Sequence, residues 1–161
     1  DAHPDIRLDF VGEERNAVLE RREADIAIRH ARPTGGSAIT RKLADLGSAI
    51  YATNRHINPD GTLKDDAPWV GFSRPLDHLP EQQWIDANVP ARRIVITLAA
   101  ANTYADAVGH GIGAGLISCM IGDRRPNLIR VKSETPLMHR ESWLVVLDDT
   151  RRRPAVRAVL D

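Results

Sequence analysis

Arg93-Ile94-Val95-Ile96-Thr97-Leu98, then Ala99-Ala100, then Ala101-Asn102-Thr103-Tyr104-Ala105-Asp106-Ala107-Val108-Gly109 is the stretch that decides the fold class. The first six residues are a bounded, β-branched run, which reads as a strand. A helix is expected from about residue 101 to 109. Thr103 and Asp106 have the spacing of a capping box, with Asp where Glu is more usual. Gly111-Ile112-Gly113-Ala114-Gly115-Leu116-Ile117 then leads into a further strand. Strands alternating with helices argue for α/β layers and a mainly parallel sheet.

Working outward, the same alternation continues in both directions. Upstream, residues 4–11 place Ile6, Leu8 and Phe10 on one face with a period of two, which predicts a strand. Residues 13–22 read as a helix, 24–28 as a short strand and 32–37 as a loop. Strands are expected over 39–46 and 48–52. Asn58-Pro59-Asp60-Gly61 is a strong turn, residues 69–72 a strand, and 79–88 a helix with Trp84 and Ile85 inward. Downstream, strands are expected at 127–131 and 143–147. Pro154 sits at a first helical position and opens a helix over 154–160. There is no internal repeat.

The 161 residues suit one ordinary domain or two small lobes. With 42% hydrophobic and 27% charged residues, the chain can build a core and is not disordered. Its 22 basic residues are matched by 22 acidic ones, so it lacks the basic excess of a free-standing nucleic-acid binder. Cys119 is the single cysteine, which excludes an intramolecular disulfide and fits a reducing, cytoplasmic setting. The glycine-rich run over 109–122 is too short to span a bilayer, so no membrane partner is expected. The opening Asp1-Ala2-His3-Pro4 has neither an initiator Met nor the basic-then-apolar start of a signal peptide, which reads as an excised fragment.

No catalytic constellation is present, and an enzyme is not expected. The six histidines are scattered without metal-ligand spacing. Neither a nucleophile elbow nor a P-loop occurs. Asp65-Asp66 and Asp148-Asp149 are adjacent pairs in turns, whose side chains diverge. Gly111-Ile112-Gly113 follows a helix end instead of preceding a helix start, so it reads as a tight, close-packed turn and not a dinucleotide fingerprint. No metal and no cofactor are implied. Cys119, beside Ile117 and Met120, reads as a small buried residue and not a redox thiolate. Arg29, His30 and Arg32 could reach an acidic ligand, but a solvated loop is the plainer reading. Arg151-Arg152-Arg153 reads as a solubilising run.

Three stretches together carry a family resemblance. His3-Pro4-Asp5-Ile6-Arg7-Leu8 with Arg22-Glu23-Ala24-Asp25-Ile26-Ala27-Ile28-Arg29 is the first. Gly111-Ile112-Gly113 after a strand-helix unit is the second. Trp143-Leu144-Val145-Val146 with Arg151-Arg152-Arg153-Pro154-Ala155-Val156-Arg157-Ala158 is the third. In this order and at these separations they resemble the effector-binding domain of LysR-type transcriptional regulators, over nearly the whole chain. The resemblance implies an α/β fold of two Rossmann-like lobes, of periplasmic-binding-protein type II architecture, joined by two crossover strands. It implies lobe I over residues 1–72, lobe II over 73–147, and a return segment over 148–161 packing on lobe I. The family's first strand and first helix of lobe I, and its winged helix-turn-helix, would lie upstream of Asp1.

The function implied is the sensing of a small-molecule effector, anionic effectors included, in the cleft between the lobes, which modulates transcription. DNA would be contacted only through the winged helix-turn-helix, and the full-length protein would be a homodimer or homotetramer. The implied effector-binding residues are Ser73, Phe72, Thr97, Ala99, Ala100 and Asn102. Ser73 follows the 69–72 strand where the family often has Ser or Thr facing the cleft; a surface-loop serine is the plain alternative. Ala99 and Ala100 stand where the family usually has Asn, Ser or Thr, so the cleft is less polar on that side. Backbone amides of Ala100, Ala101 and Asn102 could still hold an anion. Asn102 and Thr103 could contact ligand or act as helix caps, and caps are the preferred reading. A solute-binding protein of a transport system with the same fold is the alternative function.

Overall fold

A computed structural model of the chain describes residues 3–12, 18–33, 38–132 and 137–161. The chain divides into two compact units, residues 1–45 with 140–161 and residues 46–139. Strand β1 (Ala27–Arg29) lies in the first unit, and β2 (Ala38–Ala52) runs through the boundary as one 15-residue strand. The break expected at Gly47 does not occur. Ladder pairing resumes at once, with Ser48 opposite Ser118 and Tyr51 opposite Gly115, and it holds the glycine in extended backbone.

The second unit continues through β3 (Trp69–Phe72), α1 (Pro80–Asn88), β4 (Ile94–Leu98), α2 (Ala101–Gly109), β5 (Gly115–Ser118), α3 (Cys119–Gly122) and β6 (Ile129–Arg130). β7 (Met138–Leu147) leads back to the first unit, where α4 (Pro154–Leu160) closes the chain. The Asn58–Gly61 turn forms as expected, with Gly61 N–H bonded to Asn58 O (2.9 Å) and Gly61 at φ +88°.

The mainly parallel sheet is corrected. β3 and β4 pair in parallel, and Trp69 bridges Ala114 in parallel. β1–β7, β2–β5 and β2–β6 are antiparallel. The cause is topological. α1 supplies the crossover that a parallel pair needs between β3 and β4. β2 leaves the first unit and β7 returns to it, and the strands that pair with them as described run against them.

The strand expected over 4–11 is also corrected. Residues 6–12 have no regular structure, and Leu8, Phe10 and Val11 are 54%, 84% and 71% exposed. Alternation supplies a face, but a strand also needs a ladder, and no described residue pairs with this segment. Of the helix expected over 13–22, residues 13–17 lie outside the described residues. Leu19–Arg21 is one 3-10 turn, closed by Arg22 at φ +57°. Residues 34–37 of the expected loop likewise lie outside the described residues.

The core of the second unit is organised around Tyr104, which is 1% exposed. Its ring stacks on Phe72 with centroids 3.9 Å apart and planes 9° apart. Its hydroxyl donates to Val70 O in β3 (3.1 Å) and accepts from Leu116 N–H in β5 (3.0 Å). One side chain of α2 therefore ties two strands. Gly115 makes room for it, since a Cβ there would lie 2.6 Å from the Tyr104 oxygen. Burial pushes the phenol above its ordinary range, so it stays a neutral donor and acceptor. Tyr104→Phe should lower unfolding free energy by about 1–3 kcal/mol in urea titrations, because a buried carbonyl and amide both lose their partner.

Candidate functional site

β3 and β4 end in register, with Phe72 opposite Leu98. The next residues, Ser73 on one side and Ala99-Ala100 on the other, are thereby brought to one edge. In open α/β sheets that edge, beyond the strand carboxyl ends, is where ligands seat. Ser73 is held there by its backbone. Its N–H donates to Leu98 O (3.0 Å) and its carbonyl accepts from Leu76 N–H (2.8 Å). Its side chain is half-buried, and its hydroxyl has no partner among the described residues.

α2 opens beside Ser73. Ala100 is its N-cap, extended at φ −138°, ψ 131°, and offers no side-chain bond to the first turn. Ala100 O accepts from Tyr104 N–H (2.9 Å). The amides of Ala101, Asn102 and Thr103 have no intrahelical acceptor, and they carry the positive end of the helix dipole. The reading of Asn102 and Thr103 as caps is corrected. Both are exposed residues of the first turn, because burial of Tyr104 sets a helix that begins two residues before Thr103.

The remaining expected residues sit differently. Ala99 and Ala100 are exposed at the edge. Thr97 is exposed on β4, with a Cβ at Gly71 falling 3.3 Å from its methyl. The Phe72 ring belongs to the core against Tyr104, and only its backbone lies at the strand end. Ser73, Ala99, Ala100 and Asn102 thus come together, while the Phe72 ring does not join them.

Two supporting residues escaped the reading of the sequence. Gln82 is buried, and its Oε1 accepts from Phe72 N–H (2.6 Å), fixing the end of β3; its amide donates to Asp86 Oδ1 (2.6 Å). Glu81 is buried and accepts from Ser48 Oγ (3.1 Å). The available signal was positional. Glu81 and Gln82 are four and three residues before the inward Ile85, which puts two polar groups on the buried face of α1.

Cys119 packs against the apolar core as expected, but it is not fully buried. It is half-buried at the start of α3, and the Arg130 guanidinium donates to its Sγ. That bond, ahead of other causes, raises the Arg130 pKa further. Arg130 also lies over the Tyr51 ring at 5.9 Å, and Tyr51 donates to Asp123 Oδ1 (2.5 Å). The arginine run is likewise more than solubilising. Arg151 and Arg152 pair with Asp148 (3.0 and 2.6 Å), and Arg153 with Asp25 (2.9 Å). Arg32 lies over the Trp143 ring at 5.2 Å. Among the described residues no group of three or more His, Cys, Asp or Glu is placed to hold a metal, and no helix is long and apolar enough to cross a membrane.

Comparison with known proteins bears on the family and the fold. The LysR substrate binding domain model matches residues 1–161, and the chain belongs to that family. The Mau operon transcriptional activator of Paracoccus denitrificans is 25% identical over 163 residues, covering 98% of this chain and 54% of that protein. The chain therefore spans about half the length of this curated relative. The structure of CrgA, a LysR-type transcriptional regulator from Neisseria meningitidis, superposes with a TM-score of 0.78 at 22% identity, over 99% of this chain and 57% of that one. The regulatory domain of AphB from Vibrio vulnificus gives 0.71 at 16% identity, over 99% and 84%. The fold is accordingly that of LysR regulatory domains, which have the two-lobe architecture of periplasmic binding proteins.

The uncapped start of α2 yields a stability prediction. Ala100→Ser places a hydroxyl at an extended N-cap and should raise unfolding free energy by about 1 kcal/mol, read as a higher Tm in thermal melts.

Proposed function

We propose that this chain is the effector-sensing regulatory domain of a LysR-type transcriptional regulator. On this reading, a small molecule bearing a carboxylate or a comparable acceptor seats at the carboxyl edge of β3 and β4. The observation that carries it is the unpartnered Ser73 hydroxyl beside the uncapped first turn of α2. A hydroxyl can donate and accept, and the free helix amides favour negative charge. Ala99 and Ala100 leave that wall open and apolar, so selectivity there rests on shape and backbone amides. Family membership and the transcriptional activator among its relatives support the regulatory role over that of a transport solute-binding protein.

In the complete protein, occupancy of the site biases how attached winged helix-turn-helix domains grip DNA, through a difference in ligand affinity between two states. The protein works in the cytoplasm as a homodimer or homotetramer, and the chain itself carries out no catalysis.

Titration calorimetry with a panel of small carboxylates and amino acids tests the effector site. A ligand that binds should lose about tenfold in affinity in Ser73→Ala, the effect of one hydrogen bond to a charged group. It should bind more weakly still when its carboxylate is amidated. A folded chain that gives no heat with any panel member overturns the reading.

A further inference from the structure

A cavity lies at the other end of α2 from the carboxyl edge. It has a volume of about 410 Å³ and is lined by Thr53, Asn54, Arg55, His110, Gly111 and Asn127, among others. It falls within the range of about 300–1,000 Å³ typical of small-molecule sites. α2 has nine residues, so its C-terminal end is roughly 13 Å from the first turn beside Ser73. The loop that follows packs at the amino end of β3, where a Cβ at Gly113 would lie 2.7 Å from Pro68 O. The two sites therefore lie at opposite strand ends of one unit.

Two glycines let the walls of this cavity pack closely. A Cβ at Gly109 would lie 2.9 Å from Asn127 Nδ2, and one at Gly111, already at φ +77°, would lie 3.0 Å from Thr53 Oγ1 and 3.9 Å from the Arg55 guanidinium carbon. A helix C-terminus ordinarily repels anions through its free carbonyls. Here those carbonyls already accept hydrogen bonds. Asp106 O takes the His110 Nδ1–H (2.7 Å), Gly109 O takes Asn127 Nδ2–H (2.6 Å) and Gly111 O takes the His56 Nε2–H (2.9 Å).

The donors are in the opposite position. The Arg55 guanidinium and the Asn54 amide have no partner among the described residues. Thr53 Oγ1 is a buried hydroxyl with no hydrogen bond. Lys64 adds positive charge alongside, its ammonium donating to Arg55 O (2.7 Å). The Asp106 carboxylate, on the last turns of α2, is engaged by Arg125 (2.5 Å). A wall whose helix-end acceptors are taken and whose cation is unpaired calls for a ligand that brings acceptors and negative charge.

We propose that this cavity is a second ligand site, independent of the carboxyl edge, that takes a small oxyanion, either a carboxylate or a phosphate. Arg55 is the residue that holds the anion, and Gly109 and Gly111 let Asn127 and Thr53 stand close enough to form the wall beside it.

The test follows backbone amide resonances of the folded chain during titration with sodium phosphate and, separately, sodium succinate. Sodium chloride at matched ionic strength is the control. Saturable shifts at Arg55, Gly109, His110 and Gly111 are expected. Arg55→Gln should weaken them about tenfold or more, while Arg157→Ala on α4 leaves them unchanged. Phosphate alone saturating assigns a phosphoryl ligand, and succinate alone a carboxylate. Asn54→Ala provides a second reading should Arg55→Gln not fold. The proposal is overturned by shifts that are absent or unsaturable with both anions, by chloride reproducing them, or by Arg157→Ala weakening them as much as Arg55→Gln. Shifts confined to Ser73 and Ala100 overturn it while leaving the carboxyl-edge site standing.

Discussion

The Tyr104 hydroxyl is the constraint on which the second unit depends. It reaches from α2 to a carbonyl of β3 and an amide of β5, while its ring stacks on Phe72. These contacts fix the rotation of α2 about its axis. That rotation sets which faces of α2 are buried between its first turn beside Ser73 and its end at Gly109. Both the edge site and the cavity at the far end of α2 thus inherit their positions from one buried phenol. Being buried and neutral, that phenol satisfies two polar groups that would each be costly alone.

Backbone bonding holds the edge in place. Ser73 N–H and C=O are both engaged, and the Phe72 amide is held by a buried glutamine from α1. The ion pairs at the surface do less. Arg151, Arg152 and Asp148 are all well exposed, and such pairs are worth about 0–1 kcal/mol each. Fixation of the site comes from the interior.

Much of this was legible in the chain. The β-branched run before α2 and the short apolar run ending at Phe72 are strands within a residue of their expected bounds, and α1 buries Ile85 as its spacing requires. Gly111-Ile112-Gly113 is the close-packed turn that its place after a helix suggested. The misreadings share a cause. Residues 4–11 show a strand's alternation but lack a ladder, and Thr103 with Asp106 shows a capping box's spacing, but Tyr104 burial decides where the helix starts. Cys119 sits among apolar sequence neighbours, yet an arginine from β6 lies against it. Sequence displays local pattern, and each of these outcomes was decided by a partner distant in sequence. Glu81 and Gln82 were missed although Ile85 was placed inward, because what lets them be buried is a pair of partners outside the helix, Ser48 and the Phe72 amide.

The separation of duties at Ser73 has a consequence for how such a domain diversifies. Main-chain bonds set where this residue stands, while its hydroxyl and the neighbouring alanine methyls contribute little to that placement. If a ligand seats at this edge as proposed, substitutions at 73, 99 and 100 would change what it recognises at small cost to stability. The address is inherited with the fold, and the chemical preference at that address can be rewritten a side chain at a time.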